Sequence, residues 1–188
     1  MFLKFLTFLL WLCLTGCSLM PASPNEANTQ VMPLAHPIGP ARRIVQQLTA
    51  VWADRQESLI AVLELDAQHI AMAGLSNEGL SLFNLTYDGK TITTDQNPLL
   101  PATVKPEFFI TDLQLVYWPI AELKKTLSSQ WRLEATDTLR SLYFKEAKQV
   151  EIRYLTPDAI WPKEVELVNL HYHYHLKIKT LSYELVSE

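Results

Sequence analysis

From Ala41 onward apolar residues recur at every second position, in short runs separated by turn-forming residues, and 108–131 breaks the rhythm. A period of two puts alternate side chains on opposite faces of a strand, so the chain is predicted to form an antiparallel sheet built from hairpins. The interruption, FFITDLQLVYWPIAELKKTLSSQW, reads as two short helices meeting at Trp118-Pro119. Proline disfavours helical geometry in the residue before it and suits the first turn of a helix, so one helix should end near Tyr117 and another begin at Pro119. In the second, Ile120, Leu123 and Leu127 share an apolar face while Glu122, Lys124 and Lys125 take the other. That face needs a partner, and the sheet is the partner available. The first helix is so dense in apolar residues over 109–117 that its pattern also fits a strand.

In the first alternating run Ile44, Leu48, Ala50 and Trp52 share one parity and Arg43, Gln47 and Thr49 the other, which predicts one buried face. Residues 53–57 read as a polar turn. The run 59–65 has few polar residues on either side, the pattern of a central strand covered on both faces. Runs 69–75, 80–87 and 90–94 continue a meander, with Asp88-Gly89 as the two central residues of a type I′ hairpin turn. Pro98, Pro101 and Pro106 end it. Beyond Trp131 the runs 131–135, 138–145, 149–155, 163–170 and 172–185 supply further strands, with Trp161 in a loop bracketed by Pro157 and Pro162.

The N-terminus has the grammar of an export signal. Lys4 precedes an apolar run over 5–14 that is closed by Leu14-Thr15-Gly16-Cys17. The run falls short of the roughly 20 residues needed to span a bilayer. Its last four residues resemble the lipobox of bacterial lipoproteins, which implies that 1–16 is removed and that Cys17 becomes an acylated N-terminus. Each buried methylene adds about 0.8 kcal/mol, so several chains anchor stably. Between Cys17 and Pro40 the prolines at 21, 24, 33, 37 and 40 predict an extended tether of roughly 75 Å, without secondary structure. Ser18 is not the aspartate that resembles an inner-membrane retention signal, which favours the outer membrane.

With 16 basic against 20 acidic residues, a formal net charge of -4 and no basic run, the chain carries no electrostatic footprint for nucleic acid. Of its 2 cysteines, Cys13 leaves with the signal and Cys17 carries lipid, so no thiol remains for a disulfide, metal or nucleophile. His171, His173 and His175 would lie on one face of a strand about 6.7 Å apart, a spacing that suits a metal pair, but no carboxylate at ligand-like spacing completes the set. The plainer reading points Tyr172, Tyr174, Leu176 and Ile178 inward and His173, His175, Lys177 and Lys179 to water. Asp112 reads either as a desolvated general base or as a residue bordering a helix. Glu64 and Asp66 mark a turn, and Ser58, Ser76 and Ser81 lack a nucleophile context. The expectation is a non-enzyme without cofactor.

Aromatic bulk is the remaining signal: Trp52, Phe83, Tyr87, Phe108, Phe109, Trp118, Trp131 and Trp161. Such residues either fill a core or line an apolar cavity between sheet and helices. The candidate lining set is Trp52, Phe83, Tyr87 and Trp118 with Ile120, Leu123 and Leu127.

The lipobox, Gly74-Leu75, Tyr87-Asp88-Gly89, Asp112-Leu113-Gln114-Leu115 before Trp118-Pro119, and the closing strand together resemble the DUF3261 family of bacterial lipoproteins, over nearly all of the chain beyond Pro40. That family is met beside aryl-polyene and fatty-acid-like biosynthesis genes and is similar in element order to the lipoprotein carriers and receptors LolA and LolB. The resemblance implies an α+β fold in 41–188: a curved antiparallel sheet, an incomplete β-barrel, with two short helices packed on its concave side and room for acyl chains. It brings no catalytic residues. The expected function is that of an outer-membrane-anchored lipoprotein whose periplasmic domain binds or helps localise a lipid-like molecule, an aryl-polyene lipid or a lipoprotein, with a periplasmic carrier protein as candidate partner. The alternatives are a non-catalytic envelope scaffold and an accessory to a hydrolase or acyltransferase.

Overall fold

The computed structural model describes residues 31–98, 100, 105–157 and 161–186; Cys17, the signal and the first part of the tether lie outside the described residues. Met32–Glu188 forms one compact unit. Alternation becomes pairing along it. Arg42–Trp52 (β1), Arg55–Leu65 (β2), Ile70–Leu75 (β3), Ser81–Tyr87 (β4) and Ile92–Gln96 (β5) form one antiparallel meander. After the helices Pro106–Tyr117 (α1) and Ile120–Thr126 (α2), a second meander follows: Trp131–Ala135 (β6), Leu139–Phe144 (β7), Ala147–Tyr154 (β8), Glu164–Asn169 (β9) and Tyr174–Leu185 (β10). β1 pairs with β10 from Arg42↔Leu185 to Val51↔His175, welding both into one sheet ordered β5-β4-β3-β2-β1-β10-β9-β8-β7-β6.

That sheet has to curl. Ten strands spaced about 4.8 Å apart would be some 43 Å wide if flat. Yet α1, roughly 18 Å long at 1.5 Å per residue, touches both meanders: Phe109 stacks on Phe83 of β4, and Tyr154 of β8 donates a hydrogen bond to the Val116 carbonyl at 2.6 Å. The inward faces of both halves (Ile44, Leu63, Met72, Leu85, Leu142, Ile152, Leu167, Ile178) therefore close on the same helices as one core. β5 and β6 remain the two edges. The result is the expected curved sheet with two short helices on its concave side.

Trp118 and Pro119, with ψ of 144° and 138°, break the helices where the sequence predicts. Four expectations are corrected. The outer face of β2 is only half covered: Ile60 and Val62 are half-buried, with Val62 opposite Val45 and Ala73 on the neighbouring strands, and Glu64 is exposed. Residues 55–57, expected in a turn, are already strand; the loop is Ala53-Asp54, with φ of 49° at Ala53. At the β4–β5 hairpin the Asp88 N–H donates to the Thr91 carbonyl at 3.4 Å, so the loop pair is Gly89-Lys90 and only Gly89 has positive φ (89°), the signature of a type II′ turn. Asp88 instead accepts from the Lys90 and Thr91 amides at 2.8 and 2.7 Å. The fourth correction concerns the histidines. Tyr172 lies in a turn, His173 takes φ of 57°, and β10 starts at Tyr174, so His171 and His173 are not on a strand face with His175.

Candidate functional site

The stretch 32–40, expected to belong to a free tether, has no helix or strand but is packed into the domain as a strap across α1. Gln114, with no exposed surface, donates from Nε2 to the Ala35 carbonyl (2.7 Å) and accepts the Ala35 N–H on Oε1 (2.8 Å). One turn on, the Trp118 indole N–H donates to the His36 carbonyl at 2.9 Å. Met32 and Ala35 are buried. α1 thus has the strap on one side and the sheet on the other, which explains why Ile110, Asp112, Leu113, Gln114, Leu115 and Val116 are all buried. The free carbonyls at its C-terminal end are taken by the sheet: Arg140 of β7 donates to Leu115 and Trp118, Tyr154 to Val116.

The inside of the sheet differs from end to end. At the Arg42 end it is plugged: Gln46 of β1 donates to Tyr117 Oη (2.7 Å), and the Tyr117 ring stacks at 3.9 Å on Trp161, which also meets Tyr183 and the Arg42 guanidinium. Burial raises the Tyr117 hydroxyl pKa, so it stays a neutral partner. At the Trp52 end the inward side chains no longer fill the space. A cavity of about 250 Å³ lies among Ala50, Trp52, Phe108, Phe109, Asp112, Tyr172 and Leu176, with Lys105 and Tyr174 also on its wall. A second lobe of about 470 Å³ borders it, sharing Ala50, Trp52, Phe109 and Leu176, and reaches Leu59, Leu82 and the polar side chains of residues 56–58 and 76–78. The lining of the smaller lobe is mostly aromatic and aliphatic.

One carboxyl sits in that wall. Asp112 is buried, Tyr174 Oη donates to its Oδ2 at 2.6 Å, and Tyr174 Oη in turn accepts from Asn169 Nδ2 at 3.2 Å. Burial pushes the Asp112 pKa up to about 7, against a partial lowering by the Tyr174 hydrogen bond. Asp112 is i+4 from Phe108 and i+3 from Phe109, so these three residues share one face of α1.

Of the expected lining residues, Trp52 is on the cavity wall. Phe83 is packed between Gly74 and Phe109, and a Cβ on Gly74 would run into its ring. Tyr87, Trp118 and Leu123 are buried in the core, and Ile120 and Leu127 are half-buried against it; none of them borders either lobe. Sequence reasoning did not assign Phe108, Phe109 and Tyr172 to the lining, and it took Asp112 for a base or a helix border. The shared face of Phe108, Phe109 and Asp112 was the signal available. Among the described residues no three His, Cys, Asp or Glu side chains converge as metal ligands.

The family model described as "Protein of unknown function (DUF3261)" matches residues 43–182. The chain belongs to the DUF3261 family. The match spans both meanders and both helices, and so takes in the whole cavity wall. No curated protein matches the chain. Among solved structures it is similar to a LolA superfamily protein from Nitrosomonas europaea, at 6% identity and a TM-score of 0.45, covering 79% of this chain and 87% of that one. It is also similar to a domain from Vibrio parahaemolyticus named for outer membrane lipoprotein sorting, at 9% identity and a TM-score of 0.41, covering 79% of this chain and 86% of that one.

Proposed function

We propose that this DUF3261 protein is an outer-membrane-anchored lipoprotein that holds a lipid-like molecule in the periplasm, with the cavity at the Trp52 end as its binding site. The observation that carries the reading is the largely apolar cavity between the concave sheet and α1, walled by Trp52, Phe108, Phe109 and Leu176. Ligand sites are mostly apolar hollows with a few placed polar groups, and this one has that composition. Anchoring rests on the signal and lipobox ending at Cys17, a separate argument with its own test: Cys17→Ser should release the chain from outer-membrane fractions.

The binding reading is tested with the chain lacking residues 1–17, purified without detergent, by mass spectrometry of the lipids it carries. Ala50 borders both lobes. Ala50→Phe places a ring in the space and should strip the chain of most co-purified lipid while its circular dichroism stays the same. Lipid-free parent protein that also fails to take up acyl-chain probes would remove this reading and put the docking scaffold ahead.

A further inference from the structure

The apolar walls account for a chain-like ligand but not for Asp112. A carboxyl in such a wall has given up most of its hydration on folding, and the protein compensates it at one oxygen only. Tyr174 satisfies Oδ2, and the other oxygen, Oδ1, has no partner among the described residues. Asp112 borders both the cavity of about 250 Å³ and the small pocket beneath it, and Oδ1 is not among the fully buried side-chain atoms that lack a partner, so it is the oxygen reachable from that space.

The surroundings narrow what would meet it. Tyr174 and Tyr172 face Asp112 from the β9–β10 hairpin, and both hydroxyls are held neutral by burial and by the carboxyl itself. Lys105, at the start of α1, lines the same lobe. A carboxylate-ended ligand would bring a second anion beside Asp112, and an ammonium-ended one would give up its hydration in an apolar wall for a single carboxyl already shared with Tyr174. A neutral group that donates a hydrogen bond meets neither objection, and it serves Asp112 in either protonation state because Oδ1 can accept in both.

We propose that Asp112 is the polar anchor of the cavity and that the ligand is a single-chain molecule ending in a hydroxyl, whose O–H is donated to Asp112 Oδ1 while Phe108, Phe109, Trp52 and Tyr172 enclose the chain. This rests on the cavity being the binding site, as proposed above.

Displacement of bound diphenylhexatriene, an apolar fluorophore without polar atoms, separates the two ideas. The competitors are dodecanol, methyl undecyl ether, dodecanoate and dodecylamine, added to the chain lacking residues 1–17. A hydrogen bond to a charged or charge-sharing acceptor corresponds to roughly tenfold in affinity. Dodecanol should therefore displace the fluorophore at about one-tenth the concentration needed for the ether, and more readily than either charged chain. Asp112→Leu should bind the fluorophore still and lose the preference for alcohol over ether. Equal displacement by alcohol and ether from the parent protein overturns the anchor while leaving the cavity as a lipid site, and needs no variant to fold. A parent protein that binds no fluorophore overturns both.

Discussion

Gln114→Leu is the sharpest test of the strap. Leucine nearly matches glutamine in volume, so packing against α1 is kept and two hydrogen bonds to Ala35 are removed. If the strap stayed in place, the Ala35 N–H and C=O would be buried without partners, at about 1–3 kcal/mol each. The alternative is that the strap lets go. That outcome forfeits the burial of Met32, on the order of 1.5–3 kcal/mol, and the Trp118 bond to His36, about 1 kcal/mol. It recovers backbone entropy of roughly 1–2 kcal/mol for each freed residue. Keeping the strap in place would cost about 2–6 kcal/mol for the two orphaned groups, and release caps the loss near the lower end of that range, at about 2 kcal/mol. The expected result is a urea unfolding curve shifted by that amount, with the Ala35 amide losing its protection against hydrogen exchange while amides of β1 and β10 keep theirs. A shift below about 0.5 kcal/mol with Ala35 still protected would refute the claim that Gln114 holds the strap.

Three further outcomes follow from the geometry. Gly89→Val combines positive φ with a Cβ placed 2.5 Å from His36 Nδ1, and should cost at least 1 kcal/mol in thermal or urea unfolding. Leu123 has no exposed surface and borders neither lobe of the cavity, so Leu123→Ala should cost about 2–5 kcal/mol with fluorophore binding by the folded fraction unchanged. The Asp112 carboxyl, raised from 3.8 to about 7 on folding, keeps its proton longer in the native than in the unfolded chain. Its contribution is thus complete below about pH 4 and is lost as pH rises through 7, some 4 kcal/mol in all, a fall that urea titrations should show for the parent and not for Asp112→Asn.

Much of the fold was legible because its signals are local. Period-two runs mark strands whatever they pair with, and Trp118-Pro119 ends a helix through its own backbone restrictions. The errors fall where a local signal has two readings. Asp88-Gly89 fixes a tight turn and a positive φ at Gly89, but whether glycine is the first or second loop residue depends on which pair closes the hairpin, and Asp88 chose by capping Lys90 and Thr91. The strand reading failed over 171–173, where Asn169 Oδ1 accepts the Tyr172 N–H at 2.8 Å and bends the chain, and holds from Tyr174 on. The apolar density of 59–65 said that side chains were sheltered, without saying whether by another layer or by neighbours in the same sheet.

The site was harder to read because a sequence pattern reports that a face is covered, and not what covers it. Over 109–117 the helix lacks a polar face since the strap supplies a second cover, and the residue that secures the strap, Gln114, looks like an ordinary polar position until Ala35 is beside it. The same ambiguity misplaced the wall of the cavity. Ile120, Leu123 and Leu127 form a clear apolar face, but that face closes the core next to β6, whereas the open space arises where β1 offers only Ala50 between Leu48 and Trp52. A small inward residue at one end of a strand and a stacked plug of Gln46, Tyr117 and Trp161 at the other give the sheet a stoppered end and an open one. On the proposed reading this asymmetry sets direction. A chain molecule would enter past the hairpin loops near Ala53, Asn77 and Tyr172, run along Phe108 and Phe109, and stop where Asp112 and then the plug block further passage.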